Sequence, residues 1–300
     1  MSVQGELYPD LKPSFSRDNA SAFFRYPGGK RKLVRQILSR LRTRFRDKQQ
    51  AEYCEPFCGG ASIAIAFARK SGSMKLILND SDPGIASLWL AVSYEPEALK
   101  KMVLKYNPSP DDFYKFQKKL MKARFDDDFV KTGFMKLVIH QISYSGLGVR
   151  AAGPIGGKDQ TDAEYKVGCR WNADRLCLQI DRLNAALSYA EIHCGDFEPF
   201  LIPNRLLYLD PPYYRKGNDL YRDKFSEADH ARLADALKAL DSQTWILSYD
   251  ECPEVRALYA WANIEKVTIK YSITAPMNTR EATKEKDIDE KYELIISPPR

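Results

Sequence analysis

Short apolar runs, each closing on an acidic or glycine-rich turn and most leading into a helical pattern, recur along this chain. Leu76-Ile77-Leu78 stops at Asn79-Asp80 and leads into apolar positions from Ile85 to Val92. The segment around Tyr53 leads to Gly59-Gly60 and an Ala/Ile-rich stretch from Ser62 to Lys70. Tyr189-Ala190-Glu191-Ile192 runs to Gly195-Asp196-Phe197, and Leu206-Leu207-Tyr208-Leu209 ends at Asp210-Pro211-Pro212-Tyr213. Strands that alternate with helices build a parallel sheet covered on both faces, a doubly wound α/β fold. Open sheets of this kind bind ligands beyond the carboxyl ends of their strands, so the acidic turns are where chemistry is expected.

The rest of the chain is organised around that rhythm. Residues 1–20 are polar and read as an N-terminal arm. From Lys30 to Lys48 a basic stretch carries Leu33, Val34, Ile37, Leu38 and Leu41 at helical spacing. The strand–helix alternation breaks from Tyr106 to Leu187, which is helical, aromatic and basic and contains the Gly-rich segment 145–157. The expected organisation is therefore one α/β domain over 21–105 and 188–300, interrupted by a smaller helical domain at 106–187. Ser226 is a candidate N-cap for a helix reaching Leu240, a strand follows at Thr244 to Leu247, and Ile264–Tyr271 with Tyr292–Ile296 reads as a β-hairpin joined by a long charged connection.

Composition excludes several function classes. Six cysteines and three histidines show no zinc-ligand spacing, so no metal site is expected and the thiols read as free in a reducing compartment. There is no signal-peptide pattern and no apolar run near the roughly 20 residues of a membrane span. The expectation is a soluble cytoplasmic protein without a membrane partner, whose net charge of +6 permits a polyanionic one.

The Asp210-Pro211-Pro212-Tyr213 turn suits alkylation of a planar exocyclic amine. Such a nitrogen is a poor nucleophile because its lone pair is delocalised into the ring. A carboxylate (Asp210) and a proline carbonyl (Pro211 or Pro212) accepting its two hydrogens would return electron density to it and fix it in line with an electrophilic methyl. Tyr213 would stack on the ring. Glu55-Pro56-Phe57-Cys58-Gly59-Gly60-Ala61-Ser62 has glycines for close backbone approach but no Lys-Ser/Thr after them, so a sulfonium and amino-acid ligand fits it better than a phosphate. Asp80 lies about twenty residues beyond, where an acid takes ribose hydroxyls; it reads equally as a helix N-cap. Asp196 could accept from an adenine amine or simply close a turn. Arg25-Tyr26-Pro27-Gly28-Gly29-Lys30 could present an ammonium to a ligand carboxylate beside the Tyr26 ring, or form a plain surface turn.

Tyr26-Pro-Gly-Gly-Lys30, Glu55-Pro-Phe-Cys-Gly-Gly-Ala-Ser62, Asn79-Asp80, Gly195-Asp196-Phe197, Asp210-Pro-Pro-Tyr213 and Tyr271-Ser-Ile273 with Glu293-Leu-Ile-Ile296 follow one another in this order. Taken together, the chain over about 22–297 resembles the alpha-class, Dam-like DNA adenine methyltransferases. The resemblance implies a Rossmann-like methyltransferase fold with an inserted helical target-recognition domain, S-adenosyl-L-methionine as cofactor, and transfer of its methyl to N6 of an adenine flipped from duplex DNA. It implies cofactor contacts at Tyr26, Lys30, Glu55, Phe57, Gly59, Asp80, Asp196 and Asp210, and catalytic roles for Asp210, Pro211, Pro212 and Tyr213. In the insertion, Tyr144, Arg150, Lys158, Arg170 and Trp171 are the candidate DNA contacts, while Lys115, Lys118 and Lys119 read as a solvated face. The stretch Gln141-Ile-Ser-Tyr-Ser-Gly-Leu-Gly148 departs from the Asn-Arg-Tyr/Phe-Gly-Phe-Asn-Gly of GATC-specific members, so the resemblance carries the chemistry and not that target. N4-cytosine methylation, methylation of RNA or protein glutamine, and a DNA-binding relative without catalysis are the competing readings; Asp210, rather than Ser or Asn, favours adenine. A monomer is the expected state, with a cognate restriction endonuclease as a possible companion.

Overall fold

A computed structural model describes residues 23–24, 26, 29–30, 32–45, 52–71, 74–203, 205–215, 221–240, 242–270 and 290–299. The expected N-terminal arm, the connection between the last two strands, and Arg25, Pro27, Gly28 and Tyr271–Ile273 of the motifs lie outside these residues.

The described strands are β1 (Glu52–Glu55), β2 (Lys75–Asp80), β3 (Glu191–Cys194), β4 (Leu206–Leu209), β5 (Trp245–Asp250), β6 (Asn263–Lys270) and β7 (Glu290–Ser297). They form a seven-stranded sheet in the order β3-β2-β1-β4-β5-β7-β6. Strands β3, β2, β1, β4 and β5 run parallel, in register through Tyr53↔Leu76, Tyr53↔Leu206 and Leu207↔Trp245. β7 is antiparallel to β5, pairing Asp250 with Glu293, and β6 pairs antiparallel with β7 as the hairpin pattern predicts.

Side-chain alternation along these strands feeds two cores. Tyr53, Leu76, Leu78, Leu206, Tyr208, Ile246 and Ile295 face one side, and Cys54, Ile77, Leu207, Leu209, Trp245, Leu247, Leu294 and Ile296 face the other. The first side is covered by α1 (Val34–Phe45), α2 (Ser62–Ser71), α3 (Pro83–Tyr94) and α7 (Ala173–Leu187). α8 (Glu227–Ala239) and α9 (Pro253–Leu258) cover the second. Ser226 caps α8 in a reciprocal box with Asp229, as its position predicts.

Between α3 and α7 lie α4 (Pro96–Lys105), α5 (Pro110–Leu120) and α6 (Phe129–Ile142). Ser109, Asp128 and Asn172 cap α5, α6 and α7 through their side chains. Phe113, Phe134, Leu137 and Ile180 of segment 106–187 belong to the same buried cluster as Leu78, Ile85 and Trp89, so this segment shares a core with the sheet. No helix among the described residues is long and apolar enough to cross a membrane.

The chain moves from β1 outward to β2 and β3, then returns to β4 on the other side of β1. That reversal opens a crevice at the carboxyl ends of β1 and β4. Packing of α6 on α3 sets one wall of it. The contact is made at Gly133, where an added Cβ would lie 2.7 Å from Leu88 Cα and 2.7 Å from Ser87 O. We expect Gly133→Val to cost about 2 kcal/mol or more through overpacking against backbone, read as a lower urea midpoint at unchanged slope.

Candidate active site

The first strand ends at Glu55, and the turn that follows is forced by two conformations. Gly59 has φ +45° and Ala61 φ +47°, a region open to glycine and costly for alanine. Gly59 is required a second time by proximity, since a Cβ there would lie 2.5 Å from Tyr26 Cε1. The adjacent strands lock the turn. Cys58 N donates to Asn79 O at 2.8 Å, and Asn79 Nδ2 donates to Pro56 O at 2.9 Å and Gly195 O at 3.0 Å. Asn79, whose backbone belongs to β2, thereby ties the ends of β1, β2 and β3 into one surface.

Asp80 is buried, and its carboxylate accepts from Gly59 N at 2.8 Å and from Asp82 N at 2.9 Å. Burial, and then the neighbouring Asp82 charge, push its pKa up to about 6. Asp82, not Asp80, caps α3, accepting from Gly84 N at 2.8 Å. Asp82 also takes the buried Lys136 ammonium at 2.5 Å. Glu55 is buried as well; it accepts from Tyr53 OH at 2.5 Å, and burial raises its pKa to about 8.

The densest polar cluster surrounds Lys30, which is 3% exposed. Its ammonium lies 2.6 Å from Asp210 Oδ1, donates to Tyr213 OH at 2.7 Å, and stands 3.8 Å from Glu293 Oε2. Tyr213 OH donates in turn to Glu293 Oε1 at 2.6 Å. Ser248 Oγ donates to Asp210 Oδ1 at 3.1 Å and is paired with Tyr208 OH at 2.8 Å. Burial raises the Asp210 pKa while Lys30 pulls it back down; Glu293 is raised in the same way, with burial the larger cause. For Lys30 burial acts downward, yet the facing Asp210 and Glu293 carboxylates outweigh it and hold the ammonium above its ordinary value. The lysine offered by sequence to a ligand carboxylate is thus found on the Asp-Pro-Pro-Tyr turn, and the Tyr213 hydroxyl is committed to Lys30 and Glu293.

Lys30 and Asp210 of this cluster border a cavity of about 870 Å³, lined also by Tyr26, Glu55, Phe57, Gly59, Asp80, Asp196 and Pro212; Pro211 and Tyr213 are not among its lining residues. Eight candidate cofactor positions therefore meet in one space. Phe57 stacks on Phe197 at 5.2 Å, with Phe225 edge-on at 5.7 Å. Asp196 receives both terminal nitrogens of Arg232, at 2.6 Å and 2.9 Å, and that pairing holds its carboxyl below the usual range.

The DNA-contact candidates divide. Tyr144 is 66% exposed and Lys158 is exposed. Trp171 is half-buried, its ring edge-on to Tyr106 at 5.0 Å and Phe134 at 6.4 Å. Arg170 reaches Ser143 O at 3.5 Å, and Arg150 donates to the carbonyls of Tyr221 and Arg222.

Ser248, Tyr221, Arg222, Lys136 and Arg232 were not singled out from sequence, and Glu293 entered only as the first residue of the Glu293–Ile296 motif, without a role. Glu293 and Ser248 carried a usable signal, a polar residue inside an otherwise apolar strand. The others sit on helices or an irregular segment whose local pattern says nothing of the cavity.

The sequence pattern of the D12 class N6 adenine-specific DNA methyltransferases matches residues 26–273. The Type II methyltransferase M.MjaIII of Methanocaldococcus jannaschii is 23% identical over 296 residues, covering 91% of this chain and 97% of its own. Among solved structures, the rRNA methyltransferase aviRa of Streptomyces viridochromogenes aligns with 13% identity and a TM-score of 0.38, covering 98% of this chain and 96% of that one. With its pattern matched from Tyr26 to Ile273, the chain belongs to the D12 class of N6 adenine-specific DNA methyltransferases.

Proposed function

We propose that the cavity at the ends of β1, β2 and β4 binds S-adenosyl-L-methionine, and that Asp210 presents the N6 amine of a flipped adenine to it. The donor set fits this ligand. Carboxylates at Glu55, Asp80 and Asp210 line the space, which suits an ammonium, a sulfonium and ribose hydroxyls. The Phe57, Phe197 and Phe225 rings offer an apolar slot for a purine. S-adenosyl-L-methionine supplies a methyl group on a sulfonium, electrophilic enough for direct displacement.

The protein's part is to hold and polarise the amine. Among the described residues, Lys30 and Ser248 contact Asp210 through Oδ1, and Oδ2 is the atom that would accept one N6 hydrogen. The carbonyl of Pro211 or Pro212 accepts the other, and the aromatic face of Tyr213 meets the base. Lys30 keeps Asp210 ionised in a buried site, where an unpaired carboxylate would take up a proton. The N6 proton becomes acidic only once the nitrogen is alkylated, so it is lost after transfer and no strong base is needed. The observation that carries this reading is the buried Lys30–Asp210–Tyr213–Glu293 cluster opening on the cavity.

Segment 106–187 is the proposed recognition element, on duplex DNA and with the enzyme acting as a monomer. Tyr144 and Lys158 are the contacts best placed for it, being exposed; a phosphate is the usual partner of such a lysine. The name of the archaeal relative supports a modification role beside a cognate restriction endonuclease. A cytoplasmic location follows from the DNA substrate.

Incubation with labelled S-adenosyl-L-methionine and unmethylated genomic DNA should place the label in N6-methyladenine on nucleoside analysis. Asp210→Ala should lower the rate by about 100-fold or more while the protein still folds; label elsewhere, or a wild-type rate in the variant, would overturn the assignment. Glu55 supplies a second outcome. Its pKa is about 8 in the folded protein against an ordinary 4.5, so its contribution to stability is complete below pH 4.5 and is lost as pH rises through 8. Glu55→Gln should flatten that decline, worth on the order of 4 kcal/mol, in urea melts run from pH 5 to pH 9. Calorimetry should also show wild-type cofactor affinity rising toward pH 8, because the ligand ammonium favours the ionised carboxylate.

A further inference from the structure

The chain leaves β4 at Asp210, and the described residues on either side of 216–220 are each held by a side chain from elsewhere. On the first side Asp250, the last residue of β5, accepts from Tyr214 N at 3.0 Å and Arg215 N at 3.3 Å. On the second, Arg150 donates from Nε to Tyr221 O at 2.6 Å and from Nη2 to Arg222 O at 2.7 Å. The first tie is internal to the sheet. The second comes from segment 106–187, across 71 residues of sequence.

Both residues held by Arg150 face the cavity. The Tyr221 ring lies 5.9 Å from that of Tyr26, and Arg222 Nη1 is 3.9 Å from Asp82 Oδ1 beside the Lys136 ammonium. Arg150 is itself fixed. It ends the 3-10 turn Gly148–Arg150, whose Gly148 N donates to Ser143 Oγ at 3.0 Å. Gly148 has φ +59°, and a Cβ there would lie 2.7 Å from His140 Cε1 of α6. Gln117 of α5 donates to Val149 O at 2.8 Å. A rigid planar fork on a braced turn can set two successive carbonyls at once, which a single ammonium cannot do in the same geometry.

We propose that Arg150 is a positioning residue for methyl transfer: through the Tyr221 and Arg222 carbonyls it builds one wall of the cofactor cavity from segment 106–187, rather than contacting DNA. This rests on the reading that S-adenosyl-L-methionine occupies that cavity. Arg150 thereby adds a hydrogen-bonded link between segment 106–187 and the methyl-donor site to the Lys136–Asp82 pair and the shared core.

Calorimetry of wild type, Arg150→Gln and Arg150→Lys with S-adenosyl-L-methionine tests this, alongside DNA binding across a salt series, steady-state kinetics and thermal melts. Arg150→Gln should bind the cofactor about tenfold or more weakly, the loss of two charge-assisted hydrogen bonds. Its donor KM should rise by more than kcat falls, and Arg150→Lys should recover part of the affinity. The slope of log Kd for DNA against log salt should be unchanged, and Tm should move by no more than about 4 °C. Wild-type cofactor affinity with a salt slope shallower by about 0.9 would overturn the proposal in favour of a phosphate contact. A large fall in Tm in both variants, with cofactor affinity and KM unchanged at a temperature where they remain folded, would overturn it in favour of a scaffold role. Failure of the wild-type protein itself to bind the cofactor would remove the reading on which the proposal rests.

Discussion

A buried ion pair, Lys30 with Asp210, is the interaction on which the site depends. Asp210 stands at the carboxyl end of β4 because the buried run Leu206–Leu209 delivers it there, and a carboxylate in that position would lose its charge without a cation. Lys30 supplies the cation across 2.6 Å and shares it with Glu293. Burial raises the pKa of both carboxyls, and the one ammonium they share pulls each back down. Breaking such a pair from one side costs about 3–5 kcal/mol, because the remaining charge is left buried. The arrangement therefore constrains the N-terminal motif, the Asp-Pro-Pro-Tyr turn and β7 to be in place together.

Around that pair, several strand ends contribute to the cavity, beside helix residues such as Lys136, His140 and Leu183. The β1 turn brings Glu55 and Gly59, β2 brings Asp80, the turn after β3 brings Asp196 and Phe197, and β4 brings Asp210. Asn79 side-chain bonds to Pro56 O and Gly195 O keep three of these turns at fixed separation. The site is rigid where the sheet holds it. Tyr221 and Arg222, which also line the cavity, are held from segment 106–187 through Arg150. Segment 106–187 thus meets the site through these hydrogen bonds as well as through the core it shares with the sheet.

The parts of this structure legible in the sequence are those governed by neighbours in the chain. Apolar runs ending in acids located β2 and β4, Ser226 announced its cap, and alternation in Ile264–Tyr271 and Tyr292–Ile296 announced the hairpin. What escaped was set by contacts distant in sequence. The Lys30 bond to Tyr213 spans 183 residues, and no local pattern distinguishes an ammonium that meets a protein carboxylate from one awaiting a ligand. The edge contacts of the half-buried Trp171 ring with Tyr106 and Phe134 are likewise set by residues far from it in sequence. The alternative reading of Asp80 as a helix cap fails because Pro83 at the first turn of α3 fixes the cap at Asp82, for which the sequence reading gave no role.

The most direct test of the account is the pH dependence of single-turnover methyl transfer in wild type and Lys30→Gln, with saturating cofactor and DNA. If Lys30 acts by keeping Asp210 ionised, its removal raises the Asp210 pKa, and the acidic limb of the rate profile moves to higher pH while cofactor affinity changes little. An unshifted acidic limb with a large loss of cofactor affinity would contradict it, and would return Lys30 to the carboxylate of the methyl donor.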